Sequence, residues 1–142
     1  MTRVPASGVA ILAVLAVVVG GEPRMGRQVQ PVESVEGSDA LLTCVVTDVA
    51  NNTVLWKYIT RGQDGNPEAQ RARVLTAGET RITSDPRFSV LHDAGGGVWV
   101  LSILNATVRD AGLYTCELNT TPLQRSFHEL IGEYRLLPDP SP

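Results

Sequence analysis

Asp110-Ala111-Gly112-Leu113-Tyr114-Thr115-Cys116 is the stretch that decides how the chain folds. Tyr114 stands two residues before a cysteine, and Asp110 stands four residues before that tyrosine, with Gly112 between them. The only other cysteine, Cys44, lies 72 positions upstream, and Trp56 follows it by twelve. Around Cys44 the run Ala40-Leu41-Leu42-Thr43-Cys44-Val45-Val46 reads as a strand, whose period of two puts Leu42, Cys44 and Val46 on one face. Two unrelated cysteines beside an accidental Asp-x-Gly-x-Tyr is the bland alternative, and it requires four independent spacings to agree by chance.

Cys…Trp…Asp-x-Gly-x-Tyr-x-Cys is the sequence signature of an immunoglobulin domain, and the chain resembles one at these positions. The resemblance implies an all-β, immunoglobulin-like β-sandwich with one inter-sheet disulfide. Cys44 and Cys116 would bridge the sheets, and Trp56 would pack against the sulfurs. Tyr114 would turn its hydroxyl back onto the backbone of the preceding corner. Gly112 would let the chain enter its strand closely packed. Asp110 in such corners meets an arginine at the start of an earlier strand, and Arg87 is the candidate.

Length and composition agree with one such domain. The chain has 142 residues, 43% of them hydrophobic, and a net charge of −3, with nothing to suggest a nucleic-acid partner. Residues 1–21 read as a signal peptide: Arg3 gives a positive start, Val9–Val19 is an apolar run too short to span a bilayer, and Gly20-Gly21 offers small residues for cleavage. A signal anchor is the alternative. Secretion makes two cysteines coherent as one disulfide, worth about 4 kcal/mol in the chain-entropy model. A zinc site lacks the short paired spacings it would need, and no cofactor is expected.

Residues 22–28 read as a flexible leader, 29–136 as the variable-type domain, and 137–142 as a proline-rich tail. Val29–Val35 contains Pro31 and fits only an edge strand, A/A′. Strand B is 40–46. Strand C is 54–59, with Val54, Trp56 and Tyr58 inward and Leu55, Lys57 and Ile59 outward. Arg61–Gln70 is a long polar loop. Strands C′ (73–76) and C″ (79–83) mark the variable type. Strand D carries Phe88 and Val90 inward, and strand E carries Trp99, Leu101 and Ile103 inward. Ala106 tucks under the E–F corner, strand F is 113–118, and strand G lies within 125–136 with its register open.

Catalysis finds no support. His92 and His128 read as solvated surface residues with no nucleophile at a useful position, and Asp110 is better explained by a structural bridge to Arg87. Three Asn-x-Thr sequons, at Asn51, Asn105 and Asn119, are candidate glycan acceptors, and Pro122 close behind Asn119 lowers the expected occupancy there. The outward face of C, C′, F and G is the candidate binding surface. It offers Leu55, Lys57 and Ile59 on C, Thr115 and Glu117 on F, and either Val74 or Leu75 on C′. A small apolar centre ringed by charge is how a protein interface is built.

A narrower resemblance rests on five stretches. They are Val54–Lys57, Arg73–Gly78, Ile82–Val90, Val98–Ile103 and Asp110–Thr120. Over about residues 30–130 these are similar to the first immunoglobulin domain of the lachesin-like, Dpr and Dpr-interacting neuronal surface proteins, relatives of the IgLONs. The resemblance implies recognition of itself or a related immunoglobulin protein, face to face through C, C′, F and G. On this chain that carries to Leu55, Lys57, Ile59, Leu75, Thr115 and Glu117. The expected function is a secreted or cell-surface module for adhesion or neuronal partner recognition. It would have a protein partner, no small-molecule substrate and no membrane span in this chain. A soluble immune-type or decoy binder is the alternative. It would bind through the B–C and F–G loops, which contain no aromatic anchors.

Overall fold

The computed structural model describes residues 23–26, 31–60, 71–93 and 95–133. The expected signal peptide, the 61–70 loop and the 137–142 tail lie outside them. Ten strands form the described fold: β1 (Arg24–Met25), β2 (Val32–Val35), β3 (Ala40–Thr47), β4 (Val54–Thr60), β5 (Arg71–Ala77), β6 (Thr80–Arg81), β7 (Phe88–His92), β8 (Val98–Ile103), β9 (Gly112–Leu118) and β10 (Gln124–Glu133). They make two sheets, in the orders β1-β3-β8-β7 and β2-β10-β9-β4-β5-β6.

Strand β3 shows how the sequence selects the layer. Its alternate residues Ala40, Leu42, Cys44 and Val46 are buried, and the residues between them are exposed. Cys44 meets Cys116 of β9 in the inter-sheet disulfide. The core around the bridge is built from Leu42, Val54, Trp56, Leu101, Ile103 and Tyr114, with Ala106 tucked beneath the corner as expected. Trp56 is paired in register with Cys116.

The segment read as a leader contains paired backbone. Arg24–Met25 adds antiparallel to β3, whereas β2 adds parallel to β10 on the other sheet. The N-terminal chain therefore touches both sheets. The C′ strand runs longer than expected, and C″ shrinks to the two residues of β6.

One irregularity redirects a predicted surface residue. Trp56 pairs with Thr76, but Lys57 pairs with Val74, so Leu75 is an extra residue on β5. Such a bulge twists the strand locally and breaks the in–out alternation. Leu75 and Thr76 are both fully buried as a result. Leu75 therefore belongs to the core and not to the outer face, and Val74, half-buried, takes the outward position.

Candidate protein–protein interface

The outer face of the six-stranded sheet follows from its registers, because directly opposed residues in an antiparallel ladder share a face. Three rows cross strands β10, β9, β4 and β5. They read Arg125–Glu117–Leu55–Ala77, then Phe127–Thr115–Lys57–Val74, then Glu129–Leu113–Ile59–Ala72. Leu55, Lys57 and Ile59 point outward as the strand C alternation predicts, all half-buried.

Thr115 and Glu117 lie on this face but are not exposed. Glu117 is 1% accessible and Thr115 is fully buried. The reason is their neighbours' length. Lys57 Nζ lies 2.6 Å from Glu117 Oε2, and Arg125 Nε donates to Glu117 Oε1 at 2.7 Å, so two long cations close over the carboxylate. Glu117 thus organises the face from below and does not present itself to a partner. The Arg125 guanidinium is held by its Nε, and its carbon sits 6.0 Å from the Phe127 ring centre.

Phe127 was missed in the sequence, and it is 55% exposed in the middle row. Strand G has no cysteine to phase it. Its alternation held a usable signal: charged Arg125 and Glu129 flank Phe127 at spacing two, which sends Ser126, His128 and Leu130 inward. Reading His128 as a solvated residue fails for the same reason. It is fully buried, its ring meets Trp56 edge-on at 4.9 Å, and its Nε2 lies 2.7 Å from Ser126 Oγ. Burial pushes its pKa down to about 4. His92 is half-buried and stacked on Trp99 at 3.6 Å.

The corner beneath the face has the predicted geometry. Arg87 donates to both oxygens of Asp110, at 2.6 and 2.8 Å, and the Tyr114 hydroxyl donates to the Asp110 carbonyl at 2.5 Å. Asp110 also accepts from the Thr107 backbone N–H, closing the 3-10 turn Val108–Asp110. Burial alone would raise the Asp110 pKa, but the hydrogen bonds from Arg87 and Thr107 outweigh it and hold the carboxyl below its ordinary range. Sequence reasoning missed Asp85, which makes a second bridge to the same guanidinium at 2.9 Å. Burial raises the Tyr114 pKa.

Asn51, Asn105 and Asn119 are all exposed. Asn105 sits in a turn at φ 50° near the β2–β3 connection, where its N–H donates to Asp39. Asn119 accepts from the Thr53 N–H at 2.6 Å, joining the F–G loop to the B–C loop. A shallow cavity of about 600 Å³ opens at that end of the sandwich, between Asp48, Asn52, His92, Gly96 and Trp99. Among the described residues, no group of three or more His, Cys, Asp or Glu side chains is placed to hold a metal, and no helix is long and apolar enough to cross a membrane.

The immunoglobulin V-set domain model matches residues 28–131, and the chain belongs to that family. It is 35% identical over 88 residues to the Zwei Ig domain protein zig-8 of Caenorhabditis elegans; the match covers 62% of this chain and 29% of that protein. Among solved structures, Dpr2 Ig1-Ig2 in complex with DIP-Theta Ig1-Ig3 superposes with a TM-score of 0.68 at 26% identity, covering 82% of this chain and 49% of that one. Dpr1 IG1 bound to DIP-eta IG1 gives 0.65 at 25% identity, covering 79% and 96%. The similarity to the Dpr and DIP domains agrees with the resemblance read from the five sequence stretches.

Proposed function

We propose that this chain is an extracellular recognition module, not an enzyme, that binds another immunoglobulin-domain protein through the outer face of β10, β9, β4 and β5. The observation that carries the reading is Phe127, more than half exposed in the middle of that face. It shares its row with Lys57 and Val74 and borders the row of Leu113 and Ile59. An aromatic among aliphatics, with charges beside it, has the composition of an interface centre. The structural relatives are themselves immunoglobulin domains bound to immunoglobulin domains, which supports a partner of the same kind.

Adhesion or partner recognition between neurons is the role this assignment supports best. Residues 1–21 are assigned as a cleaved signal peptide, and Asn51 and Asn105 as the sequons that carry glycan. The loop-binding alternative has the cavity beside Trp99 in its favour, but it leaves the exposed Phe127 unused.

The test is a binding screen of the secreted chain against V-set ectodomains and against itself, repeated with Ile59→Asp. The substitution places a carboxylate in the apolar row, so partner binding should fall about 100-fold or more while the thermal unfolding midpoint is retained. Undiminished binding by a folded Ile59→Asp protein would move the interface off this face.

A further inference from the structure

The β3–β4 and β7–β8 connections meet over the cavity of about 600 Å³ beside Trp99, a size usual for a small-molecule site. Three features of its lining are not required by the fold. The first is a glycine. Gly97 needs to be one, because a Cβ there would meet the Val46 carbonyl oxygen at 2.1 Å. Gly96 does not. It is not held at positive φ, and its Cβ would meet nothing closer than the Asp93 side chain at 3.6 Å. What glycine secures at 96 is open space in the cavity wall. The second is the indole N–H of Trp99. That residue is only 8% exposed, and its Nε1 has no acceptor among the described residues. A buried donor is costly unless something accepts from it. The third is His92. Its ring stacks on Trp99 at 3.6 Å, and its Nδ1 faces the Val98 carbonyl at 3.0 Å. Only an N–H suits that place, so Nε2 is the nitrogen that accepts.

Asn51 stands between two residues of the same lining. The Val49 carbonyl accepts from both the backbone N–H and the Nδ2 of Asn52, closing a turn with Ala50 and Asn51 at its centre. Ala50 and Asn52 line the cavity, and Asn51 is exposed at the head of its Asn-x-Thr sequon. A sugar joined to Asn51 therefore starts at the cavity's rim.

The lining suits the sugar that an N-linked glycan begins with. N-acetylglucosamine has apolar C–H faces, hydroxyls that donate and an acetamide carbonyl that accepts. Its C–H face fits against the electron-rich face of an aromatic ring such as His92. Its hydroxyls find acceptors in His92 Nε2 and the Asp48 carboxylate, and the carbonyl answers an N–H such as that of Trp99. The tether decides where the sugar comes from. A group held on a short linker is present at an effective concentration on the order of millimolar, so a shallow site with few contacts fills from its own chain first.

We infer that this cavity is a carbohydrate seat, occupied by the N-acetylglucosamine root of the glycan on Asn51. The inference rests on the assignment of Asn51 as a glycosylated sequon. It gives that glycan a fixed place on the protein, and it takes the cavity away from the loop-binding alternative.

The test uses the full chain secreted from glycosylating cells, with occupancy of Asn51 read by peptide mass. Asn51→Gln should lower the thermal unfolding midpoint by about 4 °C. Gly96→Leu fills the cavity wall without a backbone clash. It should cost the glycosylated chain a similar amount and cost the Asn51→Gln chain nothing, so that the double variant loses no more than either single. Nuclear magnetic resonance gives a second reading on the wild-type chain, which stands even if Gly96→Leu fails to fold: protons of the root sugar should show contacts to the His92 and Trp99 rings. An unoccupied Asn51 overturns the sequon assignment and the inference with it. An occupied Asn51 whose sugar touches neither ring, and whose loss costs the same with and without Gly96→Leu, overturns the seat and leaves the sequon assignment standing. Asn51→Gln protein that binds free chitobiose in the cavity, while the wild-type glycan touches neither ring, assigns the site to sugars of another molecule and overturns self-seating.

Discussion

Arg87 carries more of the fold than the sequence signature assigns to it. It bridges Asp110 and Asp85 at once, and those carboxylates hold its own pKa raised, Asp110 most of all. Asp110→Ala would leave the guanidinium, 30% exposed, with Asp85 as its remaining carboxylate, and would remove the acceptor of the Thr107 N–H. The expected cost is about 2 kcal/mol, below that of a fully buried pair because Arg87 reaches solvent. Urea unfolding measures it, and a loss under half a kcal/mol would show the bridge to be ornamental. Asp110 and Asp85 both titrate below their ordinary value, so their stabilisation is complete above about pH 4 and fades as the pH falls beneath it. His128 acts in a higher window. Its folded pKa is about 4 against an ordinary 6.5, so the folded state disfavours its proton. Stability is full above pH 6.5 and falls as the pH drops toward 4, by about 3 kcal/mol in all. His128→Phe should flatten that slope in urea midpoints taken from pH 4 to 7, and an unchanged slope would assign it to other groups. The corner was legible because its residues recur at set spacings around a cysteine. His128 was not, because a histidine in an unphased strand gives no sign of which way it points.

At the scale of elements, strands phased by a covalent or aromatic anchor were readable and the others were not. Cys44 phases β3, Trp56 phases β4 and Cys116 phases β9, and the residues these anchors send inward line the core, Tyr58 being partly buried against it. Strand β5 has no anchor, and its bulge is invisible to a period-two reading, which puts Leu75 outside. Thr115 and Glu117 share the outer face with Leu55 and Lys57, but no strand pattern reports that long side chains from the neighbouring strands close over the Glu117 carboxylate. Gly112 opens β9 at φ 145°, and a Cβ there would meet the Tyr58 hydroxyl at 2.8 Å. Both the conformation and the space exclude a side chain. Gly112→Ala should destabilise the domain by about 2 kcal/mol. Adding Tyr58→Phe removes only the hydroxyl contact: the ring carbons Cε2 and Cζ stay at 3.0 and 3.2 Å, and the bond from the hydroxyl to the Ala111 carbonyl is lost. The double variant should therefore unfold no higher than Gly112→Ala, and full recovery in thermal unfolding would show that the hydroxyl contact alone excludes the side chain.

At the scale of the molecule, the two sheets present unlike surfaces. The outer side of β3, β8 and β7 exposes Leu41, Val45, Val98 and Leu91, with Thr43 and Ser89 among them and no charged side chain between Leu41 and Val45, Val98 and Val100, or Ser89 and Leu91. The outer side of β10, β9 and β4 sets its apolar residues among ordered charges. Order of that kind is what lets a surface discriminate, since a misplaced partner meets like charge or an unpaired one. The way the chain joins its two edges bears on a different property, resistance to being pulled. Strand β2 lies parallel to β10 through four register pairs, Val32–Leu130 to Val35–Glu133. A tension that draws β2 by its N-terminal end and β10 by its C-terminal end pulls parallel neighbours in opposite directions. It loads all four pairs together in shear and cannot peel them one at a time. Behind that clasp, the Cys44–Cys116 bond closes a span of 72 residues that cannot pay out as slack. Along this line of force the domain acts as a short, stiff tether.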